Sequence, residues 1–160
     1  MKNDVATQDT PGLIAPPPFI YAGGLLAGLL MHLAFPIKVR LLPRRLSRRF
    51  GGLLVGGGVL LATTGFRLMR KAGTNVNPTA PTTVLVVKGP FQFTRNPLYL
   101  SMALVYSGLA MLLNMLWALL VLPFVLFVMR RGVIDREERY LERKFGEEYR
   151  QYKARVRRWF

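Results

Sequence analysis

The groups in this chain that can do chemistry are few, and they fall into two short clusters. Arg95-Asn96-Pro97-Leu98-Tyr99 offers a guanidinium, an amide and a phenol within one helical turn, and Glu137-Glu138 offers two adjacent carboxylates. Of eight acidic residues, Asp4 and Asp9 lie near the start and the other six between Asp135 and Glu148, so any acidic ligand group comes from that last stretch. No cysteine is present, which removes disulfides, thiol nucleophiles, thiolate metal sites and iron–sulfur ligation from consideration. The single histidine, His32, sits in an apolar block, where packing or an interfacial position outweighs catalysis.

The segment between the clusters brings them together. From Asn96 to Met129 run 34 uncharged residues. As one straight helix they would span about 51 Å, against a hydrocarbon core of about 30 Å that needs about 20 residues. The segment therefore doubles back, with the turn at Asn114 just before Trp117. This gives two helices, Leu98 to Leu113 and Met115 to Met129, and both polar clusters emerge on one side of the membrane.

The rest of the chain agrees with a membrane setting. About half of the residues are apolar, and they come in blocks rather than at the spacing of a soluble amphipathic fold. Phe19–Phe35 and Phe50–Phe66 are two further candidate crossings. The expected architecture is an all-α integral membrane protein of about four transmembrane helices, including a C-terminal hairpin, followed by a cytosolic amphipathic helical tail. Gly56-Gly57-Gly58 reads as permitting close helix packing. Three regions are expected: a mobile tail over 1–17, two helices with a basic connection over 18–72, and a catalytic region over 73–160. The tail does not read as a secretory signal, because Asp4, Asp9 and Pro16-Pro17-Pro18 precede the apolar block.

The net charge of +15 is of a size found in nucleic-acid-binding chains, but its distribution points elsewhere. Six basic residues fall in Lys38–Arg49, five in Arg67–Arg95 and eleven in Arg130–Arg158, all flanking apolar blocks. That pattern serves anionic headgroup contact and topology control. No nucleic-acid module and no protein partner is evident. The basic loops place the clusters in the cytoplasm, as in a multi-pass cytoplasmic-membrane protein. The first loop then falls outside despite its charge, so either Lys38–Arg49 lies as a basic amphipathic segment on the far surface or one of the first two blocks does not span.

In the C-terminal stretch Ile134, Leu141, Phe145, Tyr149, Tyr152 and Val156 recur at helical spacings, with Gly146 as a break or cap. At least one of Glu137 and Glu138 faces this stripe. A carboxylate there is costly unless paired; Arg130, Arg131, Arg136 and Arg139 make a plain helix salt bridge one explanation. The other is a ligand pocket closed by Arg95–Tyr99. Asn96 fits a helix cap and Pro97 a first turn, and Tyr99 fits an interfacial aromatic as well as a ligand contact.

Thr83-Val84-Leu85-Val86-Val87-Lys88-Gly89-Pro90-Phe91, then Arg95-Asn96-Pro97-Leu98-Tyr99, a hairpin, Glu137-Glu138 and Phe145-Gly146-Glu147-Glu148-Tyr149 together resemble the isoprenylcysteine carboxyl methyltransferase and phospholipid methyltransferase superfamily. The resemblance covers roughly Gly73 to the C-terminus. It implies S-adenosylmethionine as cofactor, entering from the cytosol. It implies Val76, Thr83, Val84, Leu85, Val86, Phe91, Asn96, Pro97, Leu98, Tyr99 and Glu137 as its contacts, with Asn75 and Asn77 beside Val76. Where related enzymes carry Arg-His-Pro this chain has Arg95-Asn96-Pro97, and Asn96 does not titrate near neutrality. Where they place a substrate-linked arginine it has Val133, so Arg130 or Arg131 is left to substitute. Asn96, Tyr99 and Arg131 are the catalytic candidates.

The resemblance thus implies a membrane methyltransferase acting on a lipid-like or small amphiphilic acceptor, whether carboxylate, amine or thiol, reached from the bilayer. Two other readings stay open on sequence alone. One is a nicotinamide-dependent, sterol-reductase-like membrane enzyme; the other is a basic, non-enzymatic membrane scaffold.

Overall fold

A computed structural model describes residues 10–37, 42–77 and 80–159. Among these residues the chain is helical, without strands. In order come α1 (Pro17–Ala34), α2 (Arg44–Lys71), a 3₁₀ turn (Gly89–Gln92), α3 (Pro97–Leu112), α4 (Leu116–Met129), a π-helical turn (Arg130–Ile134), α5 (Asp135–Phe145) and α6 (Glu147–Arg155).

Three helices are long and apolar enough to cross a membrane: α1, α2, and the continuous helix Leu116–Phe145 that holds α4, the π turn and α5. The expected fourth, α3, has 16 residues, which rise only about 24 Å. The apolar part of the last span ends at Met129, and beyond it the charged residues of α5 leave the hydrocarbon. Large side chains face outward along the spans, among them Phe19, Leu53, Leu60 and Phe124, each about two-thirds exposed or more. Lipid is the solvent that tolerates such a surface.

α3 and α4 form the hairpin at the centre. The turn falls at Asn114, which adopts φ 54°, a left-handed conformation that asparagine accepts more readily than most residues. α2 packs along α3 and α1 along α4. Glycine spacing explains how closely the first pair approaches. Gly51, Gly58 and Gly65 recur every seven residues on one face of α2; a Cβ on Gly51 would lie 2.9 Å from the Gly108 carbonyl oxygen, and one on Gly58 2.8 Å from that of Ser101. Of the expected Gly56-Gly57-Gly58 run only Gly58 serves this contact, since a Cβ on Gly56 or Gly57 meets nothing within 4 Å. Gly28 similarly admits the backbone of Ala118.

Two expectations about the flanking segments change. Arg44, Arg45, Arg48 and Arg49 are the opening turns of α2 itself rather than a separate surface segment; Lys38, Val39, Arg40 and Leu41 lie outside the described residues. Within the expected mobile tail, residues 1–9 lie outside the described residues, whereas 10–16 are fastened down. Ile14 N–H donates to the Gly132 carbonyl at 3.3 Å, and Arg136 Nη1 donates to the Gly12 carbonyl at 2.8 Å. Gly132 has no side chain because Ile14 fills that space.

Candidate active site

The polar clusters meet where the sequence places them, but the two glutamates take different roles. Glu138 is buried and fully engaged. Arg158 donates to it from Nε at 2.9 Å and Nη2 at 2.7 Å, and Arg95 Nη2 lies 3.3 Å away. Arg158 Nη1 also reaches Asp135 at 2.9 Å, and these carboxylates hold its pKa above the usual value, the hydrogen bond to Glu138 most of all. The salt bridge is therefore present, though made with distant Arg95 and Arg158 rather than with the local arginines. Arg131 instead lies 3.8 Å from Asp135 with a mostly exposed side chain, and Arg136 holds Gly12.

Glu137 has no ion-pair partner among the described residues. Its Oε2 accepts one hydrogen bond, from the Tyr99 hydroxyl at 2.8 Å. Desolvation pushes its carboxyl up to about 7; the Tyr99 hydroxyl opposes that rise and the neighbouring Glu138 adds to it. A half-buried carboxylate with a single neutral donor and no ion pair among the described residues is set up to receive a cation.

The π turn aims this group. Buried Ala118, Val125 and Met129 mark the inner face of α4, and two α-helical turns beyond Met129 lies Arg136. The extra residue of a π turn rotates the residues beyond it, so Glu137 takes that line and Arg136 turns outward.

Tyr99 is fixed from the opposite side, where the Tyr21 hydroxyl donates to its carbonyl at 3.0 Å. Asn96 stands at the N-terminal cap of α3 as expected, yet its side chain caps nothing there. Its Nδ2 instead donates to the Arg158 carbonyl at 3.0 Å. Thr94 Oγ1 donates to the same carbonyl at 2.9 Å, and Arg95 N–H donates to that of Arg157 at 3.0 Å. Thr94 and the wall residues Arg95 and Asn96 thus hang on two carbonyls, those of Arg157 and Arg158. Sequence reasoning missed this strap, because nothing local to Arg157 or Arg158 signals a partner some sixty residues away.

The loop after α2 is tied down residue by residue. Thr74 Oγ1 accepts from Thr83 N–H at 3.1 Å and Val84 N–H at 3.4 Å, Tyr140 Oη accepts from Thr82 N–H at 3.1 Å, and Tyr152 donates to the Phe91 carbonyl at 2.7 Å.

Three hollows that share wall residues lie around this loop and the helices beside it. The first, about 280 Å³, is lined by Val76, Phe91, Asn96, Pro97, Leu98, Tyr99 and Glu137 together with Arg95. A recess of about 70 Å³ adjoins it, with Val84, Leu85 and Val86 on its wall. Of the contacts implied by the resemblance, Thr83 alone lines neither; it braces the loop, donating from Oγ1 to the Gly73 carbonyl at 2.9 Å. Arg131 does not reach the site either, and Val133 is buried in the core. The third hollow is an open apolar groove of about 400 Å³ between α1, α2 and α3, lined by Tyr21, Leu25, Val59, Ala62 and Tyr106. It shares Pro18, Phe66, Leu98 and Met102 with the first. The α1 and α2 contributions to this wall carried no sequence signal.

Apolar spans around a cavity that carries a few polar groups and adjoins an apolar groove mark an integral membrane protein with a ligand-sized hollow. The phospholipid methyltransferase family profile matches residues 46–148. The chain belongs to that family, within the superfamily of membrane methyltransferases that its motifs resemble. A protein of Haemophilus influenzae (strain ATCC 51907 / DSM 11121 / KW20 / Rd), described as uncharacterized, is 44% identical over 62 residues, which cover 39% of this chain and 98% of that protein. No solved structure matches.

Proposed function

We propose that this protein transfers a methyl group from S-adenosylmethionine, bound at the cytosolic face of the cytoplasmic membrane, to an amphiphilic acceptor that enters from the bilayer. The observation that carries the reading is Glu137, a carboxylate without an ion pair among the described residues, in a cavity that adjoins an apolar groove.

The residues present suit such a donor. It combines a cation, a carboxylate, a sugar and a flat base, and the cavity offers Glu137, the Arg95 guanidinium, amides from Asn75, Asn77 and Asn96, and apolar Met69, Val76 and Phe91. Val76, Phe91, Asn96, Pro97, Leu98, Tyr99 and Glu137 would hold it, with Val84, Leu85 and Val86 in the adjoining recess. Its sulfonium supplies a methyl group that is already activated.

The chain's own work is then positioning and exclusion of water. Tyr99 orients Glu137, the strap at Arg157–Arg158 sets Asn96, and the apolar groove seats the acceptor's tail with its reactive end at the cavity. Asn96 can hold a hydrogen bond but cannot shuttle a proton. A carboxylate acceptor therefore suits the site without a base, whereas an amine or thiol must arrive already deprotonated, Glu137 being engaged with the donor. The family description favours a phospholipid among these. Exposed basic residues of α5 and α6 meet anionic headgroups.

Calorimetry of the detergent-solubilised protein with S-adenosylmethionine and S-adenosylhomocysteine tests the donor, and both should bind. Transfer of labelled methyl into a membrane lipid extract identifies the acceptor. Absence of binding by either nucleoside overturns the proposal.

A further inference from the structure

Arg95 lies at the junction of the larger cavity and the recess, lining both. Its side chain is 9% exposed, and it spends one nitrogen, Nη2, on Glu138 at 3.3 Å. Nε and Nη1 are buried and make no hydrogen bond of good geometry, the Tyr149 hydroxyl being the polar group beside the guanidinium. Buried guanidinium donors left unmatched are costly, and a guanidinium fork is shaped to accept two oxygens of one anion. Among the described residues Arg95 is the one cation lining either hollow. Glu138 leaves most of it unmatched, since Arg95 reaches that carboxylate through Nη2 alone while Arg158 takes it from the other side with two donors. The cavity thus carries an anionic group without an ion pair among the described residues, Glu137, and a cation, Arg95, that is paired with Glu138 yet keeps two nitrogens unmatched.

We infer that Arg95 is the anion-binding residue of this site, receiving a carboxylate or phosphate oxygen while Glu137 receives a cation, so that the cavity selects ligands bearing both charges. This rests on the methyltransferase reading and adds the second half of the recognition. Two ligands could bring the anion: the amino-acid end of the donor or the phosphate of a lipid acceptor.

The test uses two ligand pairs that differ only in the anion, titrated into the full chain in detergent. One pair is S-adenosylhomocysteine and its decarboxylated analogue, which keeps the amine. The other is dihexanoylphosphatidic acid and dihexanoylglycerol. The native protein should prefer the anionic member of at least one pair by about tenfold or more, the range of a charge-assisted hydrogen bond, and that pair names the source. Arg95→Gln should reduce the preference to below about threefold while barely changing affinity for the member without the anion. Arg95→Lys keeps the charge beside Glu138 and serves if the glutamine variant does not fold; losing the fork, it should still cut the preference at least threefold.

No anion preference in the native protein, or a preference unchanged in the variant that folds, overturns the inference. Equal binding of S-adenosylhomocysteine and its decarboxylated analogue, with no preference in the lipid pair, leaves the methyltransferase reading standing without it. Failure of S-adenosylhomocysteine to bind the native protein removes both.

Discussion

Glu137→Gln and Glu138→Gln are neighbouring, nearly isosteric changes that should have opposite consequences. At position 138 the carboxylate takes donors at 2.7 and 2.9 Å from Arg158, with a third guanidinium nitrogen at 3.3 Å. Its side chain is 8% exposed and that of Arg95 is 9% exposed. Neutralising it leaves Arg95 as a buried cation without a counter-charge and turns one acceptor into an NH₂ facing donors. Breaking a buried pair costs about 3–5 kcal/mol. Arg158 is less buried and keeps Asp135 at 2.9 Å, so about 3 kcal/mol is the expected loss.

At position 137 the one hydrogen-bond partner among the described residues is the Tyr99 hydroxyl at 2.8 Å, and a glutamine oxygen can still accept it. The neutral amide also avoids the cost of burying a charge, so at neutral pH the variant should be at least as stable as the native protein. Denaturant unfolding of the detergent-solubilised variants, beside calorimetry with S-adenosylhomocysteine, separates the cases. Glu138→Gln should be destabilised, whereas Glu137→Gln should stay folded and lose nucleoside binding. Equal destabilisation by both changes, or native affinity in Glu137→Gln, would refute the division of roles and return the pair to a purely structural salt bridge.

The same geometry sets two further outcomes. Because burial lifts the Glu137 carboxyl from the ordinary 4.5 to about 7, its protonated form favours the folded apo protein. That contribution is complete below about pH 4.5 and is lost as pH rises through about 7. Affinity for a cationic ligand should run the other way, rising about tenfold from pH 6 to pH 8 as Glu137 ionises; titrations across that range should show the slope in the native protein and none in Glu137→Gln. On the helix pair, a Cβ at Gly108 would meet the Gly51 carbonyl oxygen at 2.6 Å and Val55 Cγ2 at 2.7 Å. Gly108→Val should therefore cost about 2 kcal/mol or more through overpacking, while Gly56→Ala, with nothing within 4 Å, should unfold like the native protein in the same assay.

The sequence by itself determined the elements that depend on local composition and chain length. An uncharged stretch too long for one crossing must fold back, and it does so at Asn114. Pro97 opens α3, Gly146 with φ 54° breaks the C-terminal helix, and the hairpin returns Arg95–Tyr99 and Glu137-Glu138 to one membrane face. Motif order marked most of the cavity wall because these residues sit on short, contiguous segments.

What local pattern does not carry was decided by tertiary structure. Adjacent glutamates look alike in sequence, and they part company because the register after the π turn brings Glu137 to Tyr99 while Arg158, twenty residues on, neutralises Glu138. Asn96 reads as a cap, but a distant carbonyl outcompetes the helix end for its amide. Arg131 reads as a candidate by proximity, yet the helix surface carries it away from the cavity. The groove needs α1 and α2 to meet α3, a contact set by glycine spacing on one helix and side-chain volume on another. Charge neutralisation, helix register and cavity shape are properties of surfaces brought together across the chain, which is why the clusters were legible and their division of labour was not.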